Sequence, residues 1–190
     1  MKLQFSDNRK DVIGLESVNA VLRAVGVRAS TIDIPDIVKP ILAQSETRAT
    51  TEEKQKELIA AFGMNRAELL EQIELAGRTP EQHRGGYLGT REGDTAPYPK
   101  VYDMMALSPQ VHAEVLNRYG RLHVNTSDNG SGIDEVMTVI SGGPFTWMYV
   151  LAGWRCCPPD SGQDRPERKA LRLSYPGVRM HAGWITRNRD

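Results

Sequence analysis

Apolar and polar positions follow two different patterns along this chain, a helical period in the first part and a strand period towards the end. Leu15, Val18, Leu22 and Val25 recur at intervals of three and four residues and stop at Gly26, as in an amphipathic helix that ends at a glycine. Similar apolar sets, with capping residues before them and glycines after the last two, predict further helices within residues 35–42, 50–63 and 65–77. We therefore predict that residues 1–80 form a mostly helical region.

The composition changes after this region. Residues 81–100 are rich in glycine and proline, which predicts a linker loop. Beyond it, apolar alternation and β-branched runs at 121–126, 136–140, 145–151, 171–175 and 183–186 predict strands, whereas the polar residues 154–169 predict an exposed loop. Short strands separated by glycine turns indicate an antiparallel sandwich or barrel. The predicted fold class is α+β, with a small antiparallel barrel at 101–190 and a further strand at Lys2–Phe5.

Charge and hydropathy narrow the classes of partner. The 190 residues include 24 Lys and Arg and 24 Asp and Glu, so no net field attracts nucleic acid or an anionic membrane. No apolar run reaches the roughly 18 residues of a membrane span, and the N-terminus lacks the hydrophobic centre of a secretory signal. We expect a cytoplasmic protein, with neither nucleic acid nor a membrane as its partner.

One stretch concentrates residues that can carry chemistry. His123 and Asn125 alternate on a predicted strand, and a turn-rich segment follows. Glu135 opens the next strand, and six residues separate it from Gly142. The spacing of His123, Glu135 and Gly142 resembles the first motif of the cupin superfamily, whose members are small jelly-roll barrels. Asn125 stands where that family has its second histidine, and nine residues separate it from Glu135.

The C-terminal end carries a counterpart of the second cupin motif. Pro176 and Gly177 are followed by His181 and, later, by Asn188. The resemblance covers about residues 100–190. It implies a jelly-roll barrel, and alternate residues on each strand of such a barrel face its interior. Side chains from neighbouring strands can therefore converge on one site.

The resemblance implies a metal centre and a substrate pocket. The implied ligands are His123, Glu135 and His181, a set that suits Fe, Mn, Ni or Zn as a divalent ion. Three further residues would contact substrate, and these are Asn125, Trp147 and Tyr149. The expected activity is that of a metal-dependent dioxygenase, isomerase or lyase acting on a small organic metabolite. Barrels of this kind often pair through an edge strand, so a homodimer is also expected.

Two alternatives remain open at this point. The first is a cupin without catalysis, kept for ligand sensing or for dimerisation. The second is a transcription regulator, because residues 55–69 resemble a helix-turn-helix of the repressor type. In that interpretation the recognition helix would carry Glu68, Glu71 and Glu74, and acidic side chains facing phosphates disfavour DNA binding.

Overall fold

The chain folds into five α-helices and eight β-strands within the residues that the structure describes. The structure is a computed structural model. It describes residues 1–45, 47–78, 90–91, 99–119, 121–126, 134–141, 145–151, 154–157, 169–177 and 180–185. Of these residues, several in the later strands are described by their backbone alone.

The helices follow their capping signals closely. They are α1 (Leu15–Leu22), α2 (Lys39–Ser45), α3 (Glu52–Phe62), α4 (Arg66–Leu75) and α5 (Pro109–Tyr119). A 3₁₀ turn extends α1 to Gly26, whose φ of 73° lets the chain turn there. The side chains and backbones of Asn65 and Glu68 form a reciprocal capping box at the start of α4. The four helices predicted in the first 80 residues are thereby confirmed.

The strands form two antiparallel sheets. They are β1 (Lys2–Phe5), β2 (Val12–Ile13), β3 (Arg28–Asp33), β4 (Glu135–Val139), β5 (Phe145–Leu151), β6 (Trp154–Cys157), β7 (Lys169–Tyr175) and β8 (His181–Ile185). One sheet has the order β2-β1-β6-β5-β8 and the other the order β3-β7-β4. In both sheets, strands from the start of the chain pair with strands from its end.

Three local predictions are wrong. Arg28–Asp33 lies in the region predicted as helical, yet it pairs with β7 along its whole length. Trp154–Cys157 lies in the predicted loop, yet it pairs with β1 and β5. Residues 121–126, predicted as a strand, form isolated bridge residues, one of them at His123, and no continuous strand. In the first two cases pairing with a distant strand outweighs the local apolar pattern. In the third case the pairing is confined to isolated bridge residues.

The predicted domain limits are not tested in the same way. The division into 1–80, 81–100 and 101–190 stays a prediction, and most of the linker lies outside the described residues. Within the described part of the chain, no helix is both long and apolar enough to cross a membrane.

The core has two clusters that meet at β7. One contains Leu173 and Tyr175 of β7 together with residues of β1, α1 and β3. The other contains Ala170 of β7 together with residues of α2 and α3. Since β7 is the middle strand of its sheet and packs into both clusters, it is a rigid base for the residues at its end. Tyr175 is the last residue of β7, and Glu135 is its cross-strand partner on β4.

Candidate functional site

Four of the six residues singled out from the sequence come together where the two sheets approach each other. Glu135 begins β4, an edge strand of the three-stranded sheet, and His181 begins β8, an edge strand of the five-stranded sheet. His123 and Asn125 lie on the segment that bridges to β8. The cluster therefore draws on three separate segments of the chain. We call its four residues the candidate site: His123, Asn125, Glu135 and His181.

Backbone pairing fixes the two histidines side by side. His123 and His181 exchange two N–H···O=C hydrogen bonds of 3.0 and 2.9 Å, so that they form one antiparallel bridge. Opposite residues of such a bridge project to the same side. Their imidazole rings accordingly lie 4.5 Å apart between centroids, at an angle of 59°. Asn125 extends the pairing, since its N–H donates to the carbonyl of Gly177 at 2.8 Å.

The hydrogen bonds of the rings determine which nitrogens can accept. His123 Nδ1 lies 2.8 Å from the carbonyl oxygen of Arg121, which can only accept, so Nδ1 carries the proton. The Nε2 of His181 lies 3.3 Å from the amide nitrogen of Asn125, which can only donate. In a neutral imidazole this arrangement leaves Nε2 of each ring as the unprotonated nitrogen. This is the tautomer that binds a metal ion through Nε2.

The carboxylate of Glu135 accepts hydrogen bonds from two sides. The amide of Asn125 donates to Oε1, and the hydroxyl of Tyr175 donates to Oε2. The same Oε2 lies 3.9 Å from the Nε2 of His181. The side chain of His181 is 3% exposed and that of Glu135 is 34% exposed, so the site is closed at His181 and open at the carboxylate.

The sequence patterns did not identify Tyr175 as part of this cluster. Its side chain is 3% exposed, and its ring meets the ring of His181 edge-on at 4.8 Å between centroids. The alternation of Leu171, Leu173 and Tyr175 does place a tyrosine on the buried face of the predicted strand. Its contact with Glu135 depends on the register of β4 against β7, which the sequence pattern does not reveal.

The other two predicted residues are only partly described. Trp147 and Tyr149 lie on β5, where their backbones pair with Gly183 and His181 of β8. Their side chains lie outside the described part of the structure. Their predicted contact with substrate stays a prediction.

The donor types fit a divalent transition metal. Two imidazole nitrogens and a carboxylate suit Fe, Mn, Ni or Zn. Two ligands about 2.1 Å from a six-coordinate ion stand about 3 Å apart, whereas His181 Nε2 and Glu135 Oε2 are separated by 3.9 Å. Within the described ranges, no three His, Cys, Asp or Glu side chains already converge on one point. The residues thus supply the right atoms, and a bound ion would have to draw His181 and Glu135 together by roughly 1 Å.

Comparisons with known proteins bear on the fold. No protein-family model matches the chain, and no curated protein matches it. Among solved structures, the chain is similar to an acireductone dioxygenase from Bacillus anthracis, a structure with a cadmium ion in its active centre. The TM-score is 0.56 at 18% identity, over 99% of this chain and 87% of that one.

This likeness supports a cupin-like fold. It extends over nearly the whole chain, beyond the residues 100–190 in which the motifs lie. The N-terminal strands and helices therefore belong to the part that resembles the dioxygenase. At 18% identity the likeness carries the fold and not the activity.

Proposed function

We propose that this chain is a metal-dependent cupin enzyme that acts on a small organic metabolite, with His123, Glu135 and His181 as the metal ligands. The observation that carries the proposal is the position of His181, whose ring lies 4.5 Å from that of His123 and whose Nε2 lies 3.9 Å from Oε2 of Glu135, at the junction of two sheets. Support comes also from the dioxygenase to which the fold is similar, whose active centre holds cadmium. We infer in addition that the two sheets together form a jelly-roll barrel.

The metal would be Fe, Mn, Ni or Zn as a divalent ion. When bound, such an ion supplies a Lewis acid and open positions for substrate or dioxygen. Among the candidate reactions, we favour a dioxygenase over an isomerase or a lyase because of the activity in that neighbour's name.

The protein's own groups would hold and orient the reactants. Tyr175 and Asn125 donate to opposite oxygens of Glu135 and so restrict the rotation of its carboxylate. With a metal ion on Nε2 of His181, the N–H of Asn125 that points there would be free to polarise a substrate oxygen or a water molecule. Trp147 and Tyr149 would line the apolar side of the pocket. Buried His181 keeps one wall of the site free of water, which strengthens electrostatic interactions there.

The test is metal analysis of the purified protein after growth with Fe, Mn, Ni and Zn supplied. We expect about one equivalent of a transition metal per chain. The variants His123→Ala and His181→Ala should lose it, whereas His112→Ala should keep it. The matched control, His112, lies on α5 and is not part of the candidate site. A wild-type protein without metal, or variants that bind metal as well as the wild type, would contradict the proposal.

One observation favours a second function, a cupin that binds its ligand without catalysis. Asn125 occupies the position of the family's second histidine, and its amide bonds both Glu135 and His181 directly. A hydrogen-bonded cluster of this kind is stable without an ion. The absence of metal, together with the binding of small organic acids in a thermal-shift screen, would favour this second function. A homodimer, which both functions allow, stays a prediction that light scattering would test.

A further inference from the structure

We propose that Arg78 is a positioning residue, which ties the end of α4 to the two strands that carry Glu135 and Tyr175 and so sets the geometry of the candidate site. This inference rests on the proposed function, because the consequence of the positioning is metal affinity. Arg78 lies outside the candidate site and acts on it through the strands β4 and β7.

The end of α4 directs Arg78 towards the sheet. Gly77 has a φ of 83°, and its N–H donates to the carbonyl oxygen of Glu74 at 2.8 Å. The N–H of Arg78 donates to the carbonyl oxygen of Ile73 at 3.1 Å. These two bonds define a Schellman motif, which reverses the chain at a helix end. Arg78 therefore leaves the helix in a fixed direction.

The aliphatic part of the Arg78 side chain packs against Gly26, where a larger residue would crowd it. A Cβ at Gly26 would lie 3.0 Å from both Cγ and Cδ of Arg78. The side chain of Arg78 is 9% exposed, although it carries a charge. The end of α1 and the end of α4 thus meet around this side chain.

The guanidinium group reaches both strands of the site. It pairs with the carboxylate of Asp134, whose side chain is 16% exposed, and its Nη2 donates to the hydroxyl of Ser174 at 2.7 Å. Asp134 directly precedes Glu135, and Ser174 directly precedes Tyr175. One planar group with several donors therefore holds β4 and β7 at the residues next to the pair of Glu135 and Tyr175.

Strand alternation explains how this contact affects the site. Successive side chains of a strand point to opposite faces, so Arg78 lies on the face opposite to Glu135 and Tyr175. Those two residues are cross-strand partners, and the tyrosine hydroxyl bonds the carboxylate. A shift of β4 against β7 would break that bond and move the carboxylate away from His181. Sites of this kind require placement within about 0.5 Å.

The test compares Arg78→Lys with a matched control, Arg91→Lys. Lysine keeps the charge but lacks the planar fork, so it cannot hold Asp134 and Ser174 together. Arg91 forms a longer ion pair of 3.8 Å with Glu68 at the start of α4, where both side chains are more exposed. Calorimetric titration with Mn(II) would measure the metal affinity of both variants. We expect a loss of about 10- to 100-fold for Arg78→Lys and no more than a twofold change for Arg91→Lys.

A second readout needs no metal. The NMR signal of the Tyr175 Cζ carbon, identified by its loss in Tyr175→Phe, reports the hydrogen bond to Glu135. We expect Arg78→Lys to shift this signal in the metal-free protein and Arg91→Lys to leave it unchanged. If Arg78→Lys does not fold, Asp134→Asn replaces it, with the same expected shifts.

The two readouts separate the possible outcomes. A shifted signal together with weaker Mn(II) binding supports the proposal. An unmoved signal, or an affinity equal to that of the wild type, overturns it. If the wild-type protein binds no Mn(II), the proposed function fails, and the NMR signal alone then decides whether Arg78 positions Tyr175.

Discussion

Tyr175→Phe isolates the hydrogen bond between a buried hydroxyl and the carboxylate of Glu135. The ring is 3% exposed, and phenylalanine keeps its contacts with the core cluster around Leu173 and with the ring of His181. The substitution therefore removes one donor and little else. A hydrogen bond to a charged group contributes about 1.5–3 kcal/mol.

The partial solvent exposure of the Glu135 carboxylate reduces the contribution of this hydrogen bond. The side chain of Glu135 is 34% exposed, so water can replace the lost donor in part. We expect Tyr175→Phe to lower the free energy of unfolding by about 1–2 kcal/mol. With a urea dependence of about 2 kcal/mol per molar, the midpoint of unfolding should fall by about 0.5–1 M.

Urea unfolding followed by circular dichroism would measure this change. The matched control is Tyr102→Phe, because the side chain of Tyr102 is 51% exposed. The control should change stability by less than about 0.5 kcal/mol. Equal midpoints for Tyr175→Phe and the wild type would refute the assignment of this hydrogen bond.

Three further predictions follow from other contacts. Asn125→His adds the imidazole that the cupin motif contains, so we expect Mn(II) binding, measured by calorimetry, to tighten at least about tenfold, and weaker binding would contradict the proposed site. Partial burial raises the pKa of Asp103, but hydrogen bonds from the backbone and the hydroxyl of Thr50 and from other backbone groups outweigh it and hold that pKa below the ordinary 3.8. The stabilisation by this carboxylate is therefore present above pH 3.8 and is lost as the pH falls through the lowered pKa. Asp103→Ala should lower the free energy of unfolding, measured in urea, by about 1–3 kcal/mol at pH 7, and this loss should shrink in acid. A loss that does not change with pH would contradict the stabilising effect of the Asp103 carboxylate. Gly77→Ala should lower the melting temperature more than Gly14→Ala. A Cβ at Gly77 would lie 3.1 Å from the backbone oxygen of Arg23, whereas a Cβ at Gly14 would meet nothing within 4 Å. Equal losses for the two variants would show that the crowding at Gly77 is relieved.

Local signals predicted the helices well. Glycine ends and capping residues act within a few positions, so Gly26 and the Asn65 capping box could be located from the sequence alone. The cap of α3 shows the limit of this reasoning. The range predicted for this helix begins at Thr50, but the hydroxyl of Thr50 donates at 2.6 Å to Asp103, and Thr51 caps the helix. A partner 53 residues away changed a local choice.

Strand pairing set the corresponding limit for the sheets and the site. β3 and β6 carry weak apolar patterns, and their strand form comes from pairing with distant strands. His123, Asn125, Glu135 and His181, which the cupin-like motifs contain, lie close together in the structure, and their function as a site stays a prediction. The neighbours of that cluster come from register and packing, so sequence alone did not reveal the parts that Tyr175 and Arg78 play there.

The most direct test of the proposed metal centre is X-ray absorption spectroscopy of the protein loaded with Fe(II). If His123, Glu135 and His181 bind the ion, the spectrum should contain two imidazole ligands and oxygen ligands at about 2.0–2.2 Å. The variant His181→Ala, treated in the same way, should retain no iron. A protein that takes up no iron, or a spectrum without imidazole scattering, would contradict the account.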